Sequence, residues 1–397
     1  MNNLIRRWWE QRSLAAPSRE MLTLFSSGPT DSGMTVSPET ALSVPAVFAC
    51  VQVLSQDIAR TPIRFREKTG DDTYIDAVDH PLYEILSSLP NPEQTSYQVQ
   101  FALMWQLLLY GRAYAEIVRV DGRIVALWPL YSDAMRVDRE ASGRKRWTYA
   151  NGGQTYTWLF DASAPPILEL TMESPILRCR DIIGAALALQ QYTSAFFKNS
   201  ARPGGVLQAA GKIDTLTGER LRESWAQNYG GSANRGKIPV LDQGLTFTAI
   251  QMENDSAQLN ETLRSINEQI AGAFRVPVSK IGDLSKSNYS NMEISEQVYV
   301  NSTLDPYYRS FELAMKRDLL TSRQYGQFDV QFHRAALTRN DTKALHDSLC
   351  QGIQNGLYSQ NDARKALGLN PIPDGDRYMV NSALQPVGAP KEVPNVA

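Results

Sequence analysis

The sequence predicts an α+β protein in which a mixed first half is followed by long helices. Amphipathic helices and short strands of alternating polarity share residues 40–180. Two longer amphipathic helices, at 181–199 and 256–274, then enclose a small βαββ segment. A helical hairpin near the C-terminus completes the pattern. The length of 397 residues also favours a chain of several structural units.

In the first half, turn and capping residues bound the elements. Thr61-Pro62 ends the first helix, Ser96 is expected to cap another, and Gly111 ends that one. Asp121-Gly122 has the chemistry of a tight hairpin turn. The predicted helices are 45–59, 80–88 and 97–109, and the predicted strands are 63–66, 113–120, 124–130, 147–149, 156–160 and 167–170.

The second long helix has an apolar stripe at a/d-like spacing, which predicts packing against the first. Between the two helices we expect a strand at 206–208, a helix at 218–229, and strands at 238–241 and 245–250. The stripe consists of Leu259, Leu263, Ile266, Ile270 and Phe274.

After this helix comes a polar stretch, 279–291, without an apolar stripe. A third long helix is predicted over 292–320, with a kink at Asp305-Pro306. A strand at 328–332 and a hairpin of two helices at 341–368, turning at Asn355-Gly356, follow it. The last 20 residues are expected to be disordered because they contain few large apolar groups.

The charge is nearly balanced, with 40 Lys and Arg against 42 Asp and Glu, a net charge of −2. This balance argues against a protein that wraps nucleic acid with a basic surface, but not against one that lets DNA slide past. Residues 279–291 contain Lys280 and Lys286 against Asp283, whereas residues 253–276 have a net charge of −2. The pattern suits a protein surface that repels DNA phosphates weakly and makes a few weak contacts with them at residues 279–291. The alternative is that residues 279–291 form an ordinary surface loop.

The sequence gives little indication of a metal site, a cofactor site or a membrane-spanning segment. The cysteines Cys50, Cys179 and Cys350 are far apart, so we expect buried free thiols in a reducing compartment and no zinc site. The three histidines are equally scattered, and no cofactor is expected. No apolar run is long enough to cross a bilayer. The amphipathic start of the chain, at 4–9, is expected to dock onto a partner protein, with a membrane anchor as the alternative.

Two motifs suggest other functions but lack supporting context. Residues Gly231–Lys237 fit G-x-x-x-x-G-K, yet Ile238 stands where a nucleotide-binding loop needs Ser or Thr. Such a loop also follows a strand and leads into a helix, whereas here the predicted helix comes before the loop and a strand after it. The C-terminal hairpin has helix-turn-helix spacing, but Asp362 and Ala363 interrupt its base-reading side chains. We therefore predict no catalytic residues, with a DNA-associated NTPase or nuclease, or a DNA-binding module, as alternatives.

A series of short motifs follows in order over residues 40–370. The motifs are His80-Pro81-Leu82, Pro90-Asn91, Tyr110–Tyr114, Asp121-Gly122, Ile183-Gly184, Phe196–Asn199, Pro203–Leu207, Gly236–Leu241, Phe274–Pro277, Tyr289-Ser290-Asn291, Asp305-Pro306, Asn355-Gly356 and Asn361–Arg364. In its order and spacing, this series resembles the HK97-type portal proteins of tailed bacteriophages.

The resemblance implies a non-enzymatic ring, typically a dodecamer, at one capsid vertex of the virion. Double-stranded DNA is packaged through its channel by the terminase, retained, and later ejected. The implied partners are the terminase large subunit, a head–tail adaptor and the major capsid protein. Assembly in the host cytoplasm and no membrane insertion of the ring itself are also implied.

The family's domains, carried over to this chain, give the following expectation. The segments are an N-terminal arm at 1–39, a wing at 40–180, stem helices at 181–200 and 255–277, a clip at 201–254, a tunnel loop at 278–291, a kinked helix and second part of the wing at 292–338, a crown at 339–376 and a tail at 377–397.

Two groups of site residues follow from the same resemblance. The DNA-channel residues are Ser279, Lys280, Lys286, Ser287, Asn288 and Asn291. The clip surface for the terminase or the adaptor is expected to comprise Arg202, Lys212, Arg220, Arg222, Arg235 and Lys237.

Overall fold

The computed structural model divides into two compact units, Met1–Phe332 and His333–Ala397. It describes residues 30–70, 73–198, 206–209, 214–215, 217–220, 223–224, 245–248, 256–282, 295–334, 342–367 and 369–379. The predicted strand at 238–241, most of the predicted helix at 218–229, the Gly231–Lys237 loop, the amphipathic start and residues 380–397 of the predicted tail lie outside these ranges.

The helices of the first unit begin at the residue types that favour helix starts. Pro45, Pro81 and Pro175 occupy first helical turns, where a missing N–H costs nothing. Gly111, with φ of 70°, ends one helix in the left-handed conformation. The α-helices of the first unit whose two ends the structure describes are α1 (Pro38–Ala41), α2 (Pro45–Ala59), α3 (Pro81–Ser87), α4 (Ser96–Tyr110), α5 (Pro175–Arg178), α6 (Arg180–Lys198), α7 (Ser256–Ala273) and α8 (Asp305–Leu319).

Within the described ranges, the strands form four small antiparallel sheets, in the orders β11-β1-β2, β4-β3-β8, β5-β6-β7 and β10-β9. The hairpin of β3 and β4 turns at Asp121 and Gly122, both with positive φ, as predicted. The strands are β1 (Ile63–Lys68), β2 (Tyr74–Asp76), β3 (Arg112–Val120), β4 (Arg123–Leu130), β5 (Met135–Arg139), β6 (Lys145–Asn151), β7 (Gln154–Leu159), β8 (Ile167–Thr171), β9 (Val206–Ala209), β10 (Leu245–Thr248) and β11 (Phe328–Phe332).

The main core lies where α2 and α4 pack together and α4 and α8 cover the sheets. Leu54 of α2 and Leu107 of α4 are buried there, and Tyr308 and Phe311 of α8 pack against Phe332 of β11. A second apolar cluster, centred on Tyr114 and Trp147, joins the β5-β6-β7 sheet to the β4-β3-β8 sheet. These contacts confirm a mixed helix and sheet architecture for the first unit.

The two long helices pack against each other, and α7 also contacts α2. A 3₁₀ helix, Val278–Ile281, follows α7 and packs on α2 as well. The polar stretch predicted from residue 279 therefore begins with an ordered turn, not with a loop. Gly282, with φ of 101°, ends that turn.

The third long helix contains a π-helical segment, Val300–Leu304, immediately before α8. We predicted a kink at Asp305-Pro306, and the irregularity lies in the turn that precedes this proline. Pro306 has no N–H and its ring crowds the preceding turn, so a wider π turn accommodates it there.

The second unit contains the predicted helical hairpin, α9 (Thr342–Gln354) and α10 (Gln360–Ala366). Gly356, with φ of 72°, lies in the turn between them. Ser359 caps α10, and its backbone N–H and side chain both bond the Asp362 carboxylate. Asn361 then binds the backbone of Ile372 through both ends of its amide, which fixes the following segment against α10.

Three further sequence-based expectations need correction. Thr95, not Ser96, caps α4, because Ser96 is buried and donates to the carbonyl of Leu86 instead. Strands β2 and β5 were missed, because three and five residues are too few to show a clear alternating pattern. The three cysteines are free, but only Cys50 is buried as expected, whereas Cys179 is half-buried and Cys350, in α9, is exposed.

Candidate functional site

The apolar stripe of α7 becomes more buried towards the C-terminal end of the helix. Ile270 and Phe274 are 1% and 2% exposed, whereas Leu263 and Ile266 are only half-buried. The side chain of Leu259 lies outside the described residues. The structure therefore places the end of α7 in the core and leaves the middle of its stripe partly open in the single chain.

Helix α7 ends in a Schellman motif. The N–H of Val276 donates to the carbonyl of Ala271, and the N–H of Arg275 donates to that of Gly272. Arg275 has φ of 56°, a conformation that glycine usually adopts at this position and that costs a non-glycine residue about 1–2 kcal/mol. Thr303, in the π segment, donates from its hydroxyl to the carbonyl of Arg275 over 2.8 Å. The π segment thus holds the end of α7 in place.

A charged cluster lies directly after this helix end. The ammonium of Lys280 is 2.9 Å from Oε1 of Glu296 and 3.6 Å from Oδ2 of Asp57, and it lies 4.6 Å from the ring centroid of Tyr299. We call Asp57, Lys280, Glu296 and Tyr299 the junction cluster. It joins α2, the 3₁₀ helix and the start of the third long helix.

Asp57 is the buried member of the junction cluster, with a side chain only 8% exposed. Its Oδ2 also accepts a hydrogen bond from the Tyr299 hydroxyl at 2.9 Å, and its Oδ1 pairs with Arg60 at 3.0 Å. Burial and then the Asp57 charge raise the pKa of Tyr299 well above its usual range, so the phenol remains a donor. Every oxygen of this buried carboxylate is therefore paired, as a buried charge requires.

The other predicted site residues are described only in part. Ser279 is half-buried within the 3₁₀ helix, and Arg220 is exposed on a helical stretch at 217–220. The remaining predicted residues lie outside the described part of the chain; they are Arg202, Lys212, Arg222, Arg235, Lys237, Lys286, Ser287, Asn288 and Asn291. Within the described ranges, no group of three His, Cys, Asp or Glu is arranged to hold a metal, and no helix has the length and apolarity of a membrane span.

Sequence reasoning missed Asp57, Tyr299 and Thr303. For Asp57 there was a signal, since it falls on the apolar stripe of the helix that contains Leu54 and Ile58. A carboxylate on a buried stripe needs a partner. Nothing in the sequence pointed to Lys280 as that partner.

Comparison with known proteins covers most of the chain. The family model described as phage portal protein matches residues 45–368. The probable portal protein of Streptomyces phage phiC31 is 30% identical over 383 residues, in an alignment that covers 91% of this chain and 82% of that protein. The chain belongs to the phage portal protein family. The portal protein of Enterobacteria phage HK97 is also similar, at 26% identity over 366 residues, in an alignment that covers 89% of this chain and 85% of that one.

A solved structure shares the fold over most of the chain. A chain in the neck of the native gene transfer agent particle, computed with C12 symmetry, aligns with a TM-score of 0.55 and 21% identity. The alignment covers 88% of this portal chain and 99% of that one. The family match and the two portal relatives confirm the resemblance noted in the sequence motifs, and the α+β architecture is that of a portal protein.

Proposed function

We propose that twelve copies of the chain form a ring that serves as the DNA conduit at one vertex of a phage capsid. The observation that supports this most directly is the match to the portal family over residues 45–368. The fold shared with a chain of a C12 particle neck supports a ring of twelve. The role is structural, not catalytic: the ring guides DNA during packaging by the terminase, its retention and its ejection.

The domain assignment is part of this proposal. Helices α6 and α7 are the stem, and the segment between them, which includes the paired strands β9 and β10, is the clip. Residues 40–180 with part of the third long helix form the wing, and the hairpin of α9 and α10 forms the crown. The clip residues, among them the exposed Arg220, are proposed to contact the terminase and the head–tail adaptor.

The half-buried stripe of α7 supports closure into a ring. Leu263 and Ile266 retain apolar surface in the single chain, and repeated copies could cover it with a heterologous contact that closes. Removing such surface from water contributes about 25 cal/mol per Å². The lining of the channel should attract DNA only weakly, because DNA must be able to move through it. A lining that neutralised many phosphates would bind DNA tightly through counterion release. Lys286 is the residue we assign to transient phosphate contact.

Negative-stain electron microscopy of the purified full chain tests the ring directly. We expect closed rings with twelve-fold class averages. A chain that stays monomeric at high concentration would contradict the proposal. Particles assembled with Lys286→Glu should contain less DNA although rings still form. The matched control is Lys68→Glu, the same charge reversal at an exposed residue of β1 outside the predicted channel. Unchanged DNA content in the Lys286 variant would remove this lysine from the mechanism.

A further inference from the structure

The junction cluster suggests a role for Lys280 other than binding DNA. Its side chain is 20% exposed, and its ammonium lies between Glu296 and the buried Asp57, over the ring of Tyr299. We propose that Lys280 is a positioning residue, which acts through Asp57 to fix the turn where the chain leaves the stem. The inference rests on the proposed function of the chain as a portal subunit.

The charges of the cluster account for this assignment. Lys280 carries one positive charge against the two negative charges of Asp57 and Glu296, and Arg60, which also pairs with Asp57, supplies the second positive charge. The junction cluster together with Arg60 therefore has no net charge to offer a phosphate. For Lys280 to reach DNA, its ammonium would have to leave Asp57, whose side chain is 8% exposed. Removing one partner of a buried ion pair is strongly unfavourable because the other charge stays buried without compensation.

The location of the cluster explains what it positions. Lys280 lies in the 3₁₀ helix after α7, Asp57 lies in α2, and Glu296 with Tyr299 begins the third long helix. The ion pairs thus tie three segments together just before Ile281 and Gly282, which end the 3₁₀ helix. The Thr303–Arg275 hydrogen bond holds the preceding helix end independently. Together they set the direction in which the chain leaves the stem.

A double-mutant cycle tests the proposal in the full-length protein. The variants are Lys280→Met, Asp57→Asn and their combination, and each is assembled into particles in place of the native chain. If Lys280 is a positioning residue, both single variants should lower the retained DNA by the same factor. The double variant should then retain as much DNA as either single variant. Thermal or denaturant unfolding measures the coupling between the two changes. The effect of the double variant on the unfolding equilibrium constant should differ by about fivefold or more from the product of the two single effects.

The chain offers a matched control for a purely structural effect. Lys316 pairs with Asp329 at 3.1 Å, is 23% exposed, and lies 4.9 Å from the ring centroid of Tyr325, so its surroundings resemble those of Lys280. Lys316→Met should lower stability in a similar way but leave retained DNA per assembled ring unchanged. An equal loss of DNA in Lys316→Met would overturn the proposal. Glu296→Gln, a milder change at a more exposed residue, replaces Asp57→Asn if that variant fails to fold.

Direct DNA contact predicts a different pattern. Asp57→Asn or Glu296→Gln would then leave DNA retention intact or improve it, because the ammonium would be released. Lys280→Met would lower retention equally in either background, and that additivity would refute positioning. A failure of the portal function itself is distinguishable, since the native chain would then form no rings while the unfolding cycle still reported the coupling.

Discussion

The hydroxyl of Tyr299 donates to Oδ2 of Asp57 over 2.9 Å, across 242 positions of sequence. Both residues are buried, and Tyr299 is 1% exposed. Tyr299→Phe removes the donor while keeping the ring beside Lys280. We expect a loss of about 1–3 kcal/mol in the free energy of unfolding, because a buried carboxylate loses one hydrogen bond.

Equilibrium denaturation measures this loss. Tyr131→Phe is the matched control, since its side chain is 65% exposed and its hydroxyl has access to water. Equal midpoints for the Tyr299 variant and the native protein would show that the hydrogen bond contributes nothing to stability.

Two positions on one face of α7 separate folding from assembly. Ile270 is 1% exposed, so Ile270→Asp buries an unpaired charge and should prevent folding, whereas Ile270→Ala should cost about 2–5 kcal/mol. Leu263 is half-buried in the single chain. Leu263→Asp should leave a folded subunit but abolish rings if neighbouring copies cover that surface. Circular dichroism and electron microscopy distinguish the two outcomes, and intact rings from Leu263→Asp would show that the surface faces solvent.

Two glycines with similar backbone angles should differ in their tolerance of a side chain. Gly111 has φ of 70°, and a Cβ there would lie 2.7 Å from the carbonyl oxygen of Met172. Gly122 has φ of 76°, and a Cβ would meet nothing within 4 Å. Gly122→Ala should cost only the backbone strain, about 1–2 kcal/mol. Gly111→Ala should cost clearly more, since backbone must move, and similar denaturation midpoints would contradict this.

His80 makes stability depend on pH. Its Nδ1 accepts a hydrogen bond from the N–H of Leu82 and caps α3, and its ring lies against Phe65 and Phe328. Burial lowers the pKa of His80 below the usual value of about 6.5. Between the lowered pKa and 6.5 the unfolded chain binds more protons, so stability is present above 6.5 and is lost as the pH falls.

His80→Asn tests this dependence because asparagine also caps a helix but does not titrate in this range. Denaturation midpoints of the native protein should fall from pH 7 towards pH 5 more steeply than those of the variant. The same slope in both proteins would show that His80 is not the titrating group.

Much of the fold could be predicted because its signals are local. The Asp121-Gly122 turn, the helix end at Gly111 and the cap at Ser359 depend on residues within a few positions of each other. The prediction that Ser96 caps α4 was wrong, because the distant carbonyl of Leu86 engages its hydroxyl. Prediction therefore failed where a side chain found a partner outside its own element.

The sequence by itself determined the order of most helices and strands, the apolar stripe of α7 and the family, since motif order and periodicity are properties of the chain. Only the tertiary structure decided the surroundings of Lys280. In the sequence it is a lysine in a polar stretch, whereas in the fold its charge is balanced by Asp57 and Glu296. Electrostatic pairing depends on distance in space, and no local pattern records which carboxylate a distant helix will bring within reach.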